Sequence, residues 1–105
     1  MDAQMKRGLL EVCVLSVLSQ GDSYGYRIIK DLSACIQVSE STLYPILKRL
    51  QANALLQEYS QEHNGRLRKF YRLTEAGRQR IGLFLDDWRD VMKVYRFIEG
   101  GWSNE

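Results

Sequence analysis

Hydroxyl and basic side chains flank two leucines, Leu43 and Leu47, between residues 39 and 49. Short hydroxyls and cations are the groups that reach phosphate oxygens and base edges in the major groove of DNA. Leucines already fill the inward stripe, which favours an exposed Tyr44 over the alternative of a core aromatic. The segment therefore predicts a contact with double-stranded DNA through Ser39, Ser41, Thr42, Tyr44, Lys48 and Arg49.

A second basic cluster surrounds the pair Asn64-Gly65, the strongest short signal for a β-hairpin. The net charge is only +2, but residues 40–72 carry six basic against three acidic side chains. Cations on a projecting hairpin can follow a phosphate backbone or enter the minor groove. A solvated surface hairpin is the alternative. The DNA-contacting candidates here are His63, Asn64, Arg66, Arg68 and Lys69.

Catalytic and metal-binding chemistry has little support. Cys13 and Cys35 form no CxxC pair, and the single His63 completes no metal site with them. We expect no enzyme, no cofactor and no metal. The chain also has no apolar run of about 18 residues, so we expect no membrane contact and a cytoplasmic location.

Three helices are predicted before the hairpin. The first covers residues 8–18, and the second runs from Tyr24 to about residue 34, capped by Ser23 or Asp22, with Tyr26 in the core. The third begins nearer Ser41 than Ser39, because proline is tolerated only in the first turn of a helix. It ends at about Asn53, which takes the left-handed C-terminal position.

Two strands and a long helix complete the pattern. The strands cover residues 55–59 and 67–73, and Thr74 caps a helix that continues to about residue 98. The predicted fold is mainly α with a β-hairpin wing, a winged helix-turn-helix plus a long C-terminal dimerisation helix. Residues 1–73 form the DNA-binding domain, residues 74–99 the dimerisation helix, and residues 100–105 a tail with a loose Trp102.

The last helix carries more large apolar side chains than a small core can cover. A homodimer would cover them and set two recognition helices about 34 Å apart, which demands a roughly palindromic operator. The alternative is that the stripe packs only within its own subunit. The predicted interface comprises Leu10, Val14, Ile81, Leu85, Trp88, Met92 and Tyr95.

Four segments together resemble the PadR family of bacterial transcriptional regulators, in its small subfamily with a single C-terminal helix. They are Arg7-Gly8-Leu9-Leu10-Glu11, Asp22-Ser23-Tyr24-Gly25-Tyr26, the run Ser39-Glu40-Ser41-Thr42-Leu43-Tyr44-Pro45-Ile46-Leu47-Lys48-Arg49-Leu50, and Arg68-Lys69-Phe70-Tyr71-Arg72-Leu73-Thr74-Glu75-Ala76-Gly77. The family usually has glycine at two positions where this chain has Ser41 and Ala54.

The resemblance implies roles for individual residues. The third helix would be the recognition helix, Arg66 and Lys69 would grip the DNA backbone, and Tyr24 would contact a phosphate. Trp88 would stack on a small aromatic effector between subunits, or serve simply as an interface anchor; both roles stay open. The implied function is a repressor. A protein-interaction module with the same fold is the alternative from another class.

Overall fold

Three helices pack together and supply most of the core. In the computed structural model, which describes residues 1–101, α1 spans Ala3–Leu18, α2 spans Gly25–Leu32 and α3 spans Glu40–Ala52. The α1 helix starts five residues before the predicted start, because the Asp2 carboxylate accepts a hydrogen bond from the Met5 N–H and caps it. The fully enclosed side chains include Val14, Leu15, Ile28, Leu43, Leu47, Leu50 and Leu56.

The α2 helix begins one residue later than predicted, and the residues before it form a strand. Ser23 and Tyr24 make up this short strand, β1, so neither Ser23 nor Asp22 caps the helix. The prediction of a core Tyr26 is wrong, since this side chain is 67% exposed. Starting at Gly25, the helix turns Ile28 and Leu32 inward and leaves Tyr26 on its outer flank.

Both ends of α3 differ from the prediction. Ser39 caps the helix by accepting a hydrogen bond from the Thr42 N–H, so the helix begins at Glu40 rather than nearer Ser41. At the other end Asn53 has a φ of −92°, whereas Ala54 has a φ of +60°. Ala54, not Asn53, therefore occupies the left-handed position after the helix.

The hairpin forms a three-stranded antiparallel sheet with β1. Strand β2 spans Leu56–His63, β3 spans Arg66–Leu73, and the order is β1-β3-β2. Asn64 and Gly65 both have positive φ, 53° and 79°, as the tight turn of a two-residue hairpin requires. His63 pairs directly with Arg66, so the strands continue to the turn, beyond the predicted end of β2.

A long helix, α4, spans Glu75–Ile98 and begins at the predicted cap. The Thr74 hydroxyl accepts a hydrogen bond from the Gly77 N–H and donates one to the Ala54 carbonyl, which ties α4 to the end of α3. The radius of gyration is 16.4 Å, against about 13 Å for a compact chain of this length. The longest dimension is 62 Å. Much of α4 therefore projects from the core.

No helix within residues 1–101 combines the length and the apolar character that a membrane span needs. The predicted loose Trp102 lies outside the described residues.

Candidate nucleic-acid interface

The α3 helix separates its apolar and polar side chains onto two sides. Its inward side carries four side chains that are at most 3% exposed, namely Leu43, Ile46, Leu47 and Leu50. Ser41, Tyr44 and Lys48 are exposed and share the opposite side, since residues three and seven apart lie on one face of a helix. The sequence prediction of an outward polar surface on α3 agrees with this geometry.

Three hydroxyls cluster where α3 begins. The Ser39 Oγ lies 3.0 Å from the Ser41 Oγ and donates to the Thr42 Oγ1 at 3.2 Å. All three residues are exposed. The start of α3 therefore presents hydroxyls together with the positive end of the helix dipole, a combination suited to an anionic partner.

Tyr44 leans from α3 toward the start of α2. Its hydroxyl lies against Gly25, and its side chain is 45% exposed. Tyr24, Tyr71 and Arg68 line the same groove, which has a volume of about 310 Å³. Burial raises the pKa of Tyr71 to about 12, with further contributions from Glu58 and Tyr44, so its hydroxyl stays protonated at neutral pH. Tyr44 thus forms an exposed wall of the groove.

The wing, residues 56–73, carries cations in two different settings. Arg66 is exposed next to the turn, whereas Lys69 lies 3.5 Å from the Glu58 carboxylate and keeps 68% of its side chain exposed. The Arg68 guanidinium stacks over the Tyr24 ring, with 4.8 Å from Cζ to the ring centroid. Tyr24 is therefore half-buried beneath Arg68 rather than extended into solvent.

An aromatic cluster that the sequence reading missed supports this part of the wing. The Phe70 ring packs against Tyr24 at 5.3 Å, Tyr59 at 5.8 Å and His63 at 6.0 Å between ring centroids. Tyr24 reaches Phe70 because β1 pairs with β3 at these two residues. Their pairing across 46 positions leaves no local pattern in the sequence. His63 thus packs at the wing's aromatic face, while Asn64 forms the turn.

Asp22 links the wing to the segment between α1 and α2. Its Oδ2 accepts hydrogen bonds from the Tyr59 hydroxyl at 2.6 Å and from the Arg72 Nε at 3.0 Å. The bond from Tyr59, helped by Arg72, holds the pKa of Asp22 below its usual range. The carboxylate therefore stays charged at neutral pH and holds the base of the hairpin.

Arg49 is not part of the outward surface of α3. Its Nε donates to the Glu11 Oε2 at 2.5 Å, so its side chain lies between α1 and α3. One of its terminal nitrogens is buried. Glu11 on the neighbouring helix therefore holds the guanidinium, and a DNA contact from Arg49 stays a prediction.

The α4 stripe is only partly covered within the subunit. Ile81 packs against the core, but Leu85 is 48% and Tyr95 is 53% exposed. Leu10 and Val14 are 3% and 0% exposed and lie in the subunit's own core, and their role at a dimer interface stays a prediction. The apolar side chains of α1 that remain accessible next to α4 are Met5, Leu9 and Val12.

A cleft of about 290 Å³ lies between α1 and α4. Phe84 and Trp88 stack in it, with ring centroids 5.5 Å apart and an interplanar angle of 15°. Arg80 and Glu11 supply polar groups at its lining. The cleft thus combines flat aromatic surface with one cation and one anion.

Comparison with known proteins yields one consistent family. The model of the transcriptional regulator PadR-like family matches residues 14–82. Transcriptional regulator Rv3488 of Mycobacterium tuberculosis is 31% identical over 102 residues, which cover 96% of this chain and 92% of that protein. The crystal structure of smu.1704 from Streptococcus mutans is 40% identical, covers 88% of each chain and superposes with a TM-score of 0.78.

The fold also matches a structure determined with DNA. Bacillus subtilis PadR, crystallised in complex with operator DNA, is 24% identical to this chain. The match covers 73% of this chain and 46% of that one, with a TM-score of 0.68. At this identity the likeness is one of fold.

Proposed function

The chain belongs to the PadR-like family of transcriptional regulators, and we propose that it is a repressor that binds a roughly palindromic operator as a homodimer. The observation that carries the proposal is the exposed side of α3, with Ser41, Tyr44 and Lys48 on one face. The family is one of transcriptional regulators rather than enzymes. A regulator of transcription acts at the chromosome, which supports a cytoplasmic location in a bacterial cell.

Charge distribution supports the DNA contact. Lys48 and Arg66 are exposed and have no ion-pair partner within residues 1–101, so their positive charge is available to phosphates. Arg72 is engaged by Asp22, and Lys69 by Glu58. Residues 1–73 would form the DNA-binding unit. The operator complex of Bacillus subtilis PadR, a protein of similar fold, is consistent with this assignment.

The test is a fluorescence-anisotropy titration with the chain's own upstream DNA and with random DNA, each at two salt concentrations. We expect the upstream DNA to bind at least about 10³-fold more tightly than random DNA. Lys48→Glu with Arg66→Glu should abolish this preference. Lys6→Glu with Arg78→Glu is the matched control. It changes the net charge by the same amount as the test variant, but on α1 and α4 rather than on α3 and the wing. Equal binding to both DNAs would refute specific recognition and favour a protein-interaction module.

Dimerisation is supported by the projecting α4, residues 74–99 in the proposed division of the chain. Leu85, Val91 and Tyr95 are each more than 40% exposed, although a second copy of the same helix would bury them. Such a pair has two-fold symmetry and so fits two DNA half-sites one helical turn apart. Trp88 and Met92, both half-buried, lie on the same stripe.

Sedimentation velocity tests the dimer directly. The wild-type chain should sediment as a dimer at micromolar concentration, and Tyr95→Glu should shift it toward monomer because a charge would be buried in the interface. Lys93→Ala, on the polar side of α4, should leave the dimer intact. A wild-type chain that sediments as a monomer up to about 100 times the DNA-binding concentration would contradict the proposal.

An aromatic effector is supported by the stacked Phe84 and Trp88 in the cleft. A flat ring can stack on Trp88, and the Arg80 guanidinium can donate hydrogen bonds to the oxygen of an acidic or phenolic substituent. Titration with a panel of flat aromatic acids and bases should find compounds that lower operator affinity by about tenfold. Trp88→Phe should weaken that response and keep the dimer. A panel without effect would leave Trp88 as an interface anchor alone.

A further inference from the structure

We propose that Gly25, on α2, is a positioning residue for DNA recognition by α3. Because Gly25 has no side chain, the Tyr44 ring can pack against α2 in the position from which it contacts DNA. This inference rests on the proposed DNA-binding function. It assigns a role in specificity to a buried residue that has no side chain with which to contact DNA.

The contact between the two helices is very close. Gly25 is the first residue of α2, and a Cβ built on it would overlap the Tyr44 hydroxyl oxygen. The same Cβ would lie 3.0 Å from the Tyr44 Cζ and 3.4 Å from Cε1. Nothing larger than glycine fits at this position unless Tyr44 moves.

Backbone conformation does not account for glycine here. Gly21 and Gly65 have φ values of 148° and 79°, which favour glycine, but Gly25 lies in a regular helix with no such positive φ. Alanine would stabilise an ordinary helical position relative to glycine. The space that the Tyr44 side chain occupies therefore accounts for the glycine at residue 25.

Tyr44 has a defined place on the recognition surface as a result. It shares the outward side of α3 with Ser41 and Lys48, and it lines the groove beside Tyr71 and Arg68. A methyl group on Gly25 would push the ring away from α2 and into the space through which DNA approaches α3. The displaced ring would collide with the DNA or lose its contact with it.

The test is a double-substitution cycle with Gly25→Ala and Tyr44→Ala, in which operator and random DNA are titrated by fluorescence anisotropy. Gly25→Ala alone should lower the ratio of operator to random affinity by about tenfold, the size of one lost base contact. In the Tyr44→Ala background, where no hydroxyl stands in the way, Gly25→Ala should change the ratio less than twofold. Gly82→Ala is the matched control, because its added methyl would meet nothing within 4 Å.

The outcomes separate this inference from the proposed function. If the wild-type chain itself does not prefer operator DNA, the proposed function fails. If the wild-type chain prefers it but Gly25→Ala matches wild type, or acts equally in both backgrounds, the positioning role is overturned. Tyr44→Ala alone must also reduce the ratio, or Tyr44 is not a recognition residue. Thermal unfolding of each variant identifies misfolding, and the double variant, which lacks the overlap, folds even if Gly25→Ala does not.

Discussion

Replacing Ala54 by glycine should stabilise the protein, although glycine usually destabilises it. Ala54 follows the end of α3 with a φ of +60°, a left-handed conformation in which the Cβ crowds the following carbonyl. Its methyl group is exposed, so removing it forfeits little packing. The carbonyl of Ala54 accepts the Thr74 hydroxyl, and that hydrogen bond does not depend on the side chain.

The size of the effect follows from two opposing terms. A left-handed conformation costs an L-residue about 1–2 kcal/mol, which glycine avoids. Against this, glycine lowers the free energy of unfolding by about 0.4–1 kcal/mol relative to alanine, because its unfolded chain has greater conformational freedom. The net stabilisation is about 0.5–1 kcal/mol, or roughly 2–6 °C in melting temperature for a domain of this size.

Ala52→Gly provides the matched comparison. Ala52 is the last residue of α3 and is also exposed, but it is helical, so glycine there should destabilise by up to about 1 kcal/mol. Differential scanning calorimetry at one fixed protein concentration measures both variants, because melting of a dimer depends on concentration. Melting temperatures that fall in both variants would refute the role assigned to Ala54.

Three further predictions concern packing, the assignment of cations and alkaline pH. Gly77→Ala should destabilise by about 2 kcal/mol or more, because its Cβ would overlap the Leu55 carbonyl and approach a Leu73 methyl at 2.6 Å, and chemical denaturation measures this. Lys48→Ala should weaken operator binding without changing the melting temperature, whereas Arg49→Ala should lower the melting temperature by leaving Glu11 unpaired; the reverse pattern would contradict the assignment. Because folding raises the pKa of Tyr71 to about 12, its contribution to stability is complete below pH 10 and is lost as pH rises toward 12. Between pH 10 and 12 the free energy of unfolding of Tyr71→Phe should therefore fall by about 2 kcal/mol less than that of the wild type, as measured by urea titration. Equal falls in the two proteins would exclude Tyr71 as the source.

Local patterns account for the elements that could be predicted from the sequence. The leucine spacing of α3, the Asn64-Gly65 turn and the Thr74 cap each act within a few residues, and all three appear in the structure. Strand β1 could not be predicted, since two residues have no period and its partner strand lies more than 40 positions away.

The candidate site was harder to predict than the fold. Exposed and paired cations look alike in a sequence, so Arg49 could not be separated from Lys48 until Glu11 was located beside it. Likewise, apolar residues of α1 carry no mark that distinguishes the subunit's own core from an interface, and Val14 belongs to the core. Both distinctions depend on contacts between elements rather than on the elements themselves.

The link from Asp22 to Tyr59 and Arg72 has a consequence for protein engineering. Exchanging the hairpin for that of another regulator, to alter which operator is read, would sever this link and leave the Asp22 carboxylate without its donors. A viable chimera must carry the tripeptide from Asp22 to Tyr24 along with the transplanted hairpin, although more than thirty residues separate the two grafts in the chain.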